Sequence, residues 1–405
     1  MCKKIKLGIL KETKVPIDRR VPLIPTQTKL LLEKFSNLEI FVQPSEIRCY
    51  SDNEYRELGI ELKNDLSDCD ILIGVKEVDV TKFIKGKTYL FFSHTTKKQE
   101  YNRSLLQEII RKKISLIDYE HLTNANNIRL VAFGYWAGIV GAYNGIIGWG
   151  LRTKSFSLKP AHKCRDMEEM FKELQNANLK NIKILITGGG RVAHGAMKTL
   201  KALNIRKISP DDFLNNKFNE AVYSQIDPDY YVRRNDGEKF ELNHFINNPA
   251  DYQSIFSAFT KVADLYIPCH FWDKRSPAFM TIEDMKAPDF NIKLIADISC
   301  DIRGPIPSTI RSSSIDSPFY GFDPYTGEET EAFGSEKNIS VMAVDNLPGE
   351  LARDASLDFG NKLIEEIFPS LFGEDHNEII KRATIVKSGK LTEKYFYLQS
   401  FADGK

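Results

Sequence analysis

Four ionisable residues carry the chemistry that this sequence could do. Lys76 and Glu77 follow the apolar run DILIGV, and His94 follows TYLFFS. Arg20 lies in KLGILKETKVPIDRRVPLIP, in the loop after the first apolar run. A lysine drawn out of water can give up its proton near neutrality. Histidine titrates in that range without help, and arginine can grip a carboxylate through two parallel hydrogen bonds. Any one of these alone reads as a solvated surface charge. Their repeated placement just past apolar runs favours a site, because open parallel sheets bind ligands outside the carboxyl ends of their strands.

A second motif adds a cofactor. In ILITGGGRVAHGAMKTLKAL, residues 184–203, Gly188, Gly190 and Ala193 fill a G-x-G-x-x-A pattern between an apolar run and helix-forming residues. The first glycine permits a tight turn, the second lets the backbone approach a pyrophosphate, and the small third residue lets helix and strand pack closely. The helix N-terminus then offers unpaired N–H groups to the phosphates. A tight turn without a ligand, or a methyltransferase turn, would use the same pattern. The ribose-binding acid is expected about 20 residues beyond the first glycine, within RKISPDDFL, where Ser209 ends a strand and Asp211 and Asp212 follow. Arg206 and Lys207 would suit a 2′-phosphate, so NAD and NADP both stay open. His194 reads as a surface residue. With a nicotinamide cofactor, the lysine, histidine and arginine are equipment for oxidising or reducing a C–N bond in an amino acid.

The elements that must position these groups alternate. KIKLGIL, LEIFVQ, DILIGV, TYLFF and ISLID read as strands, with TQTKLLLEKF and EYNRSLLQEIIRK as helices between them. This is the pattern of a parallel α/β layer. Thr96 to Gln99 (TKKQ) fits a capping box ahead of Leu105, Leu106, Ile109 and Ile110, so a helix is expected to begin directly after His94. A second α/β unit begins at KILITGGG, after a polar linker over 152–181, and continues through ADLYIP, KLIADIS and ISVMAV. Between them, VYSQIDPDYYVRR reads as a hairpin and PADYQSIFSAF as a polar helix. A last helix is expected from about Leu351 to Glu366, followed by a polar tail.

The chain has 405 residues, which favours two domains. Lys plus Arg (56) nearly cancels Asp plus Glu (55), so no global field invites nucleic acid. Small molecules or other subunits are the expected partners. Cys2, Cys49, Cys69, Cys164, Cys269 and Cys300 show no C-x-x-C spacing, which argues against a zinc site or a disulfide framework and for the reduced thiols of a cytoplasmic protein. The start, MCKKIKLGIL, has no apolar core of signal-peptide length. Residues 130–151 are long enough to span a bilayer and hold two G-x-x-x-G spacings. With Asn144 and six glycines, they read better as a soluble helix buried between two domains, with glycines at close backbone approaches.

RRVPLIP, GVKEVD, FFSHTTKKQEYNRSLL, LIDYEHL, IRLVAFGYWAGIVGA, GGGRVAHGA, ADLYIPCHFW, IADISCD and VMAVDNLP follow one another along nearly the whole chain. This succession resembles the lysine-forming saccharopine dehydrogenases and related lysine–2-oxoglutarate reductase domains. Alanine dehydrogenase and the soluble part of transhydrogenase share the architecture. The resemblance implies two Rossmann-like α/β domains with parallel sheets, a cleft between them and a long linking helix. Residues 1–132 plus 346–405 would form the substrate domain and 133–345 the dinucleotide-binding domain. It also implies a reaction: saccharopine, oxidised NAD or NADP and water give L-lysine, 2-oxoglutarate and the reduced cofactor, through an imine.

By the same resemblance Lys76 takes a proton from the secondary amine and His94 is the acid–base of imine hydrolysis. Arg20, Gln99, Arg129 and Phe133 line the substrate site, and Glu77 and Glu120 tune the pair. Asp301 is a further candidate at the position of a catalytic aspartate in alanine dehydrogenases. Gly190, Arg191 and Val192 meet the cofactor phosphates, with Asp297, Ile298 and Ser299 on the ribose or nicotinamide side. His270 falls in a substrate-lining segment, where a structural histidine is equally plausible. Cys269 and Cys300 read as packing. Nothing resembles the glutamate-forming saccharopine dehydrogenase domain, so one half-reaction is expected of the chain.

Overall fold

The computed structural model describes residues 4–405, so Cys2 lies outside the described residues. The first apolar runs form strands β1 (Ile5–Ile9), β2 (Leu38–Val42), β3 (Glu61–Leu62), β4 (Ile71–Ile73), β5 (Thr88–Phe91) and β6 (Ser115–Asp118). Helices α1 (Pro25–Lys34) and α2 (Arg103–Arg111) belong to the same layer. Strands covered on both faces need near-continuous apolar side chains, and LEIFV, ILI and TYLF supply them. α2 turns Leu105, Leu106 and Ile109 inward. It starts later than the sequence suggests. His94 and Lys98 both adopt left-handed backbone, which breaks the chain into two short 3-10 turns before Arg103, and no capping box forms at Thr96.

The next stretch holds α3 (Gly134–Thr153), α4 (Met167–Glu173), β7 (Lys183–Thr187), α5 (Arg191–Ala202), β8 (Arg206–Lys207), α6 (Pro210–Asn215) and β9 (Val222–Ile226). β10 (Val232–Arg234), β11 (Tyr252–Ser254), β12 (Leu265–Pro268), β13 (Leu294–Ala296), β14 (Phe319–Asp323), β15 (Glu328–Thr330) and β16 (Ile339–Met342) follow. The polar segment 152–181 is therefore no plain linker: Asp166 caps α4, which buries Met170. VYSQI and VRR do not form a hairpin. VYSQI is β9, parallel between β7 and β8, whereas VRR pairs with β11 in a separate ribbon. PADYQSIFSAF is not one helix either, because β11 interrupts it between turns at Pro249–Asp251 and Ser257–Thr260. After the second unit come α7 (Ala352–Lys362), continued to Phe372, β17 (Thr384–Lys387), β18 (Lys390–Leu391) and a last short helix, Gln399–Ala402. The polar tail thus carries two strands, and β17 pairs with β6.

Two compact units result. One runs to Phe133 and resumes over Ala352–Lys405; the other is Gly134–Leu351. The first sheet has the order β18-β17-β6-β5-β4-β1-β2-β3, with β1 to β6 all parallel. Its order reverses at β1 and β4, the place where such sheets open a ligand crevice at the strands' carboxyl ends. The second sheet, β15-β14-β16-β13-β12-β7-β9-β8, reverses at β7 and β12.

Within the second unit α3 and α5 cross in close contact. A side chain at Gly195 would collide with the Tyr135 carbonyl and lie 2.9 Å from the Ile139 nitrogen; at Gly138 it would strike the Val192 carbonyl. The Thr199 hydroxyl donates to the Ile139 carbonyl across this crossing at 2.9 Å. Among the described residues no helix is long and apolar enough to cross a membrane. Gly195→Ala should force these backbones apart at about 1–3 kcal/mol, which thermal denaturation reads as a Tm several degrees lower. Gly190→Ala is the control, since its Cβ would meet nothing within 4 Å. An unchanged Tm for Gly195→Ala would contradict the tight crossing.

Candidate active site

The carboxyl ends of β1, β4, β5 and β6 deliver the first unit's polar groups. After β1, buried Glu12 reaches the end of β4, where its two oxygens accept the backbone N–H groups of Val75 (2.7 Å) and Lys76 (2.9 Å). Asp18 and Arg20, both buried, pair through Nε (3.0 Å) and Nη2 (2.6 Å). The guanidinium lies 4.1 Å over the Phe133 ring, which stacks on Phe359 at 4.6 Å. Burial opposes ionisation of Asp18, but the Arg20 charge overrides it and holds the carboxyl well below its usual range. Burial lowers the Lys76 pKa, and the neighbouring Arg20 charge lowers it further.

Lys76 is followed by Glu77, one of whose oxygens lies 2.8 Å from His94 Nδ1 while the other accepts from Lys14 Nζ at 2.7 Å. Burial alone would raise the Glu77 pKa; the hydrogen bonds from His94 and Lys14 bring it down to about 2. His94 sits at φ 53°, an uncommon conformation for a residue with a side chain. The preceding residue is anchored: the Ser93 N–H donates to fully buried Asp118 at 3.0 Å, and the Ser93 hydroxyl donates to the same oxygen. The other Asp118 oxygen accepts the Glu120 N–H at 2.7 Å. Glu120 lies 3.6 Å from Lys97 and 3.5 Å from Arg129. A cavity of about 250 Å³ opens beside Lys14 and Glu77, bordered by Asp79, Tyr101 and Asn102.

Lys76, Glu77, His94, Arg20 and Phe133 therefore share one neighbourhood, with Glu120 and Arg129 tied to it through Asp118. Two expected substrate contacts change character. The Nε–Nη2 fork of Arg20 is engaged by Asp18, so it is not presented to a substrate carboxylate, and Phe133 is a packed core ring. Gln99 is exposed and accepts the Tyr101 hydroxyl at 2.7 Å. Sequence reasoning missed Glu12, Lys14, Asp18 and Asp118. The only signal for the first three was the charge density of KETKVPID beside Arg20.

In the second unit Gly188 takes φ 94°, and a Cβ there would lie 2.8 Å from the Cys269 carbonyl at the end of β12. Gly190 opens α5 with no side-chain cap and with empty space around it, so the helix's first N–H groups face a cradle that suits a pyrophosphate. Arg191 is exposed on the first turn of α5. Val192 instead packs toward α3, its Cγ2 3.3 Å from where a Gly134 Cβ would stand.

Asp211 does not occupy the expected ribose position. It follows β8, the edge strand, whereas the strand beside β7 is β9. The acid at the end of β9 is Asp227, exposed, with Oδ1 2.8 Å from a Cβ built at Gly189. Arg206 is paired with Glu220 at 2.7 Å, and Lys207 donates to Gln225 at 3.2 Å.

Asp297 is buried and accepts from the Thr309 hydroxyl (2.6 Å) and the Cys300 N–H (3.0 Å); burial pushes its pKa up to about 6. It braces the turn. Ile298 packs against α3 at Gly141, and Ser299 donates to the His270 carbonyl at 2.9 Å. Asp301 is half-buried, which raises its pKa. His270 is buried against Phe279 and pairs with Thr187 at 2.8 Å; burial lowers its pKa to about 3, so it stays neutral. Cys269 is buried and Cys300 donates to the Ala343 carbonyl, so both pack.

Fold and site define an α/β protein of two Rossmann-like units, a glycine turn in one and a lysine–histidine–carboxylate cluster in the other. Residues 8–140 match the family described as alanine dehydrogenase/PNT, N-terminal domain. The chain is similar to the alpha-aminoadipic semialdehyde synthase of Arabidopsis thaliana, at 28% identity over 97% of this chain and 41% of that protein. It is also similar to the NAD(+), L-lysine-forming saccharopine dehydrogenase of Yarrowia lipolytica, at 25% identity over 92% of each. The chain thus spans less than half the length of the synthase. A solved L-alanine dehydrogenase has the same fold, with a TM-score of 0.66 over 98% of this chain and 99% of that one at 17% identity.

The Glu77 contacts carry a sign for stability. The unfolded chain protonates this carboxyl near 4.5, whereas the folded one holds its charge to about 2. Stability from this group is therefore complete above pH 4.5 and lost as pH falls toward 2, by about 3 kcal/mol at most. Denaturant unfolding from pH 5 to pH 2 should show a shallower acid loss in Glu77→Gln. Identical acid limbs would contradict the assigned contacts.

Proposed function

We propose that this chain is a pyridine-nucleotide oxidoreductase interconverting saccharopine with L-lysine and 2-oxoglutarate through an imine. The observation that carries this reading is the half-buried Lys76, its pKa lowered, next to a histidine–glutamate pair. Lys76 takes the proton from the substrate's secondary amine, a role that needs a lysine able to stand unprotonated near neutrality. His94, oriented through Nδ1 by Glu77, exchanges protons with the water that adds to the imine carbon and with the departing amine. Glu77 and Glu120 tune these protonations, and Arg129 with Gln99 meets the substrate carboxylates. Arg20 acts through its charge on Lys76 rather than as a clamp.

Gly188, Gly190 and the first N–H groups of α5, with Arg191, would hold a dinucleotide, and the Asp297–Ser299 turn would border it. When bound, the nicotinamide ring supplies the two-electron oxidation or reduction of the substrate's C–N bond. Asp227 favours NAD, because a carboxylate accepts from a ribose 2′-hydroxyl and repels a 2′-phosphate. Arg206 and Lys207 already have partners. The family match over residues 8–140 supports a second reading, an alanine dehydrogenase-like enzyme using ammonia and a 2-oxo acid.

Lys76→Met should lower turnover by at least about a hundredfold, the scale of a lost general base, with NADH affinity unchanged by fluorescence titration. Wild-type turnover in this variant would sink the assignment.

A further inference from the structure

We infer that Glu12 is the positioning residue for Lys76: its carboxyl group holds the backbone that aims the lysine, and it takes no proton from substrate itself. The inference rests on the reading of Lys76 as the proton acceptor.

Glu12 extends from β1 and Lys76 follows β4, and these two strands flank the point where the first sheet's order reverses. Across it, one carboxylate bonds two successive amides, Val75 at 2.7 Å and Lys76 at 2.9 Å. Both oxygens are used, so the end of β4 is fixed at the residue that matters and at the one before it. The packing is close as well, since a Cβ at Gly74 would lie 3.3 Å from Glu12 Oε1.

Holding the amides with a buried acid is costly to the fold. Burial disfavours the Glu12 charge, and the nearby Asp18 charge adds to it, pushing the pKa up to about 8 against the pull of the two amides and Arg20. Buried Tyr119 also feels the Glu12 charge. A water or a peptide carbonyl could satisfy two amides without a buried acid. A carboxyl held against its own ionisation in this crevice, among Asp18, Arg20, Tyr119 and Lys76, stabilises one geometry of β4 at a cost to the fold.

Glu12→Gln keeps the shape but leaves one good acceptor, and Glu12→Ala leaves none. The test measures kcat, KM for each substrate, NADH affinity and Tm for both variants beside Lys76→Met. The expected result is a kcat loss of about tenfold in Glu12→Gln and about a hundredfold in Glu12→Ala, with KM and NADH affinity within twofold of wild type. The kcat–pH profile of Glu12→Gln should lack an ionisation near 8 that the wild type shows.

A lower Tm with wild-type kcat and pH profile in Glu12→Gln would reduce Glu12 to a purely structural role and overturn the inference. If Lys76→Met itself retained turnover, the reading of Lys76 would fail and the positioning role with it. Loss in Lys76→Met without loss in either Glu12 variant would overturn the Glu12 role alone.

Discussion

Parallel pairing of β1, β4, β5 and β6 is the constraint on which the first unit depends. Parallel strands end on the same side, and the residue after each strand inherits that side. The pairing Ile9 to Ile73, Ile73 to Leu90 and Phe91 to Asp118 brings the following segments level. Glu12, Lys76, Glu77, His94 and Glu120 come from segments distant in sequence and meet because the ladder leaves them no other place. The Glu77–His94 hydrogen bond, 2.8 Å long, then ties the end of β4 to the end of β5.

Charge is handled in two ways around this edge. Asp18 and Glu77 stay ionised although burial opposes it, one by a forked arginine and the other by a histidine and a lysine. Glu12 and Asp118 have no such cation in hydrogen-bond contact, and burial raises both. Each of these accepts backbone N–H groups at the end of a strand and so fixes a turn. Glu77 lies against a histidine and a lysine that could move protons, whereas Glu12 and Asp118 hold backbone. That division follows from local dielectric and partner choice, and it explains how one small region keeps Lys76 destabilised as a cation without unfolding.

Much of the architecture was legible because apolar runs of strand length are hard to mistake. LEIFV, TYLF, KILIT and LYIP all became strands where the pattern put them, and the glycine turn fell between strand and helix. Lys76 and His94 could be singled out because each ends such a run. What stayed hidden depends on tertiary placement. KETKVPID looks like a solvated loop, and nothing in its sequence says that Glu12 and Asp18 are buried. Asp227 was overlooked because β8 and α6 intervene, so counting from the first glycine lands on the wrong strand. The delayed start of α2 follows from left-handed backbone at His94 and Lys98, which no propensity for a capping box reveals. The last strands, β17 and β18, are short and bordered by charge, and they are strands because β6 offers an edge.

In the proposed function the lysine–histidine–carboxylate cluster and the glycine turn serve one reaction on saccharopine. The most direct measurement follows the reduced-nicotinamide absorbance with L-lysine and 2-oxoglutarate, using NADH and NADPH in parallel. Oxidation is expected to require both substrates and to run faster with NADH. Oxidation with ammonia and a 2-oxo acid but not with lysine, or cofactor binding without turnover of any pair, would contradict that function.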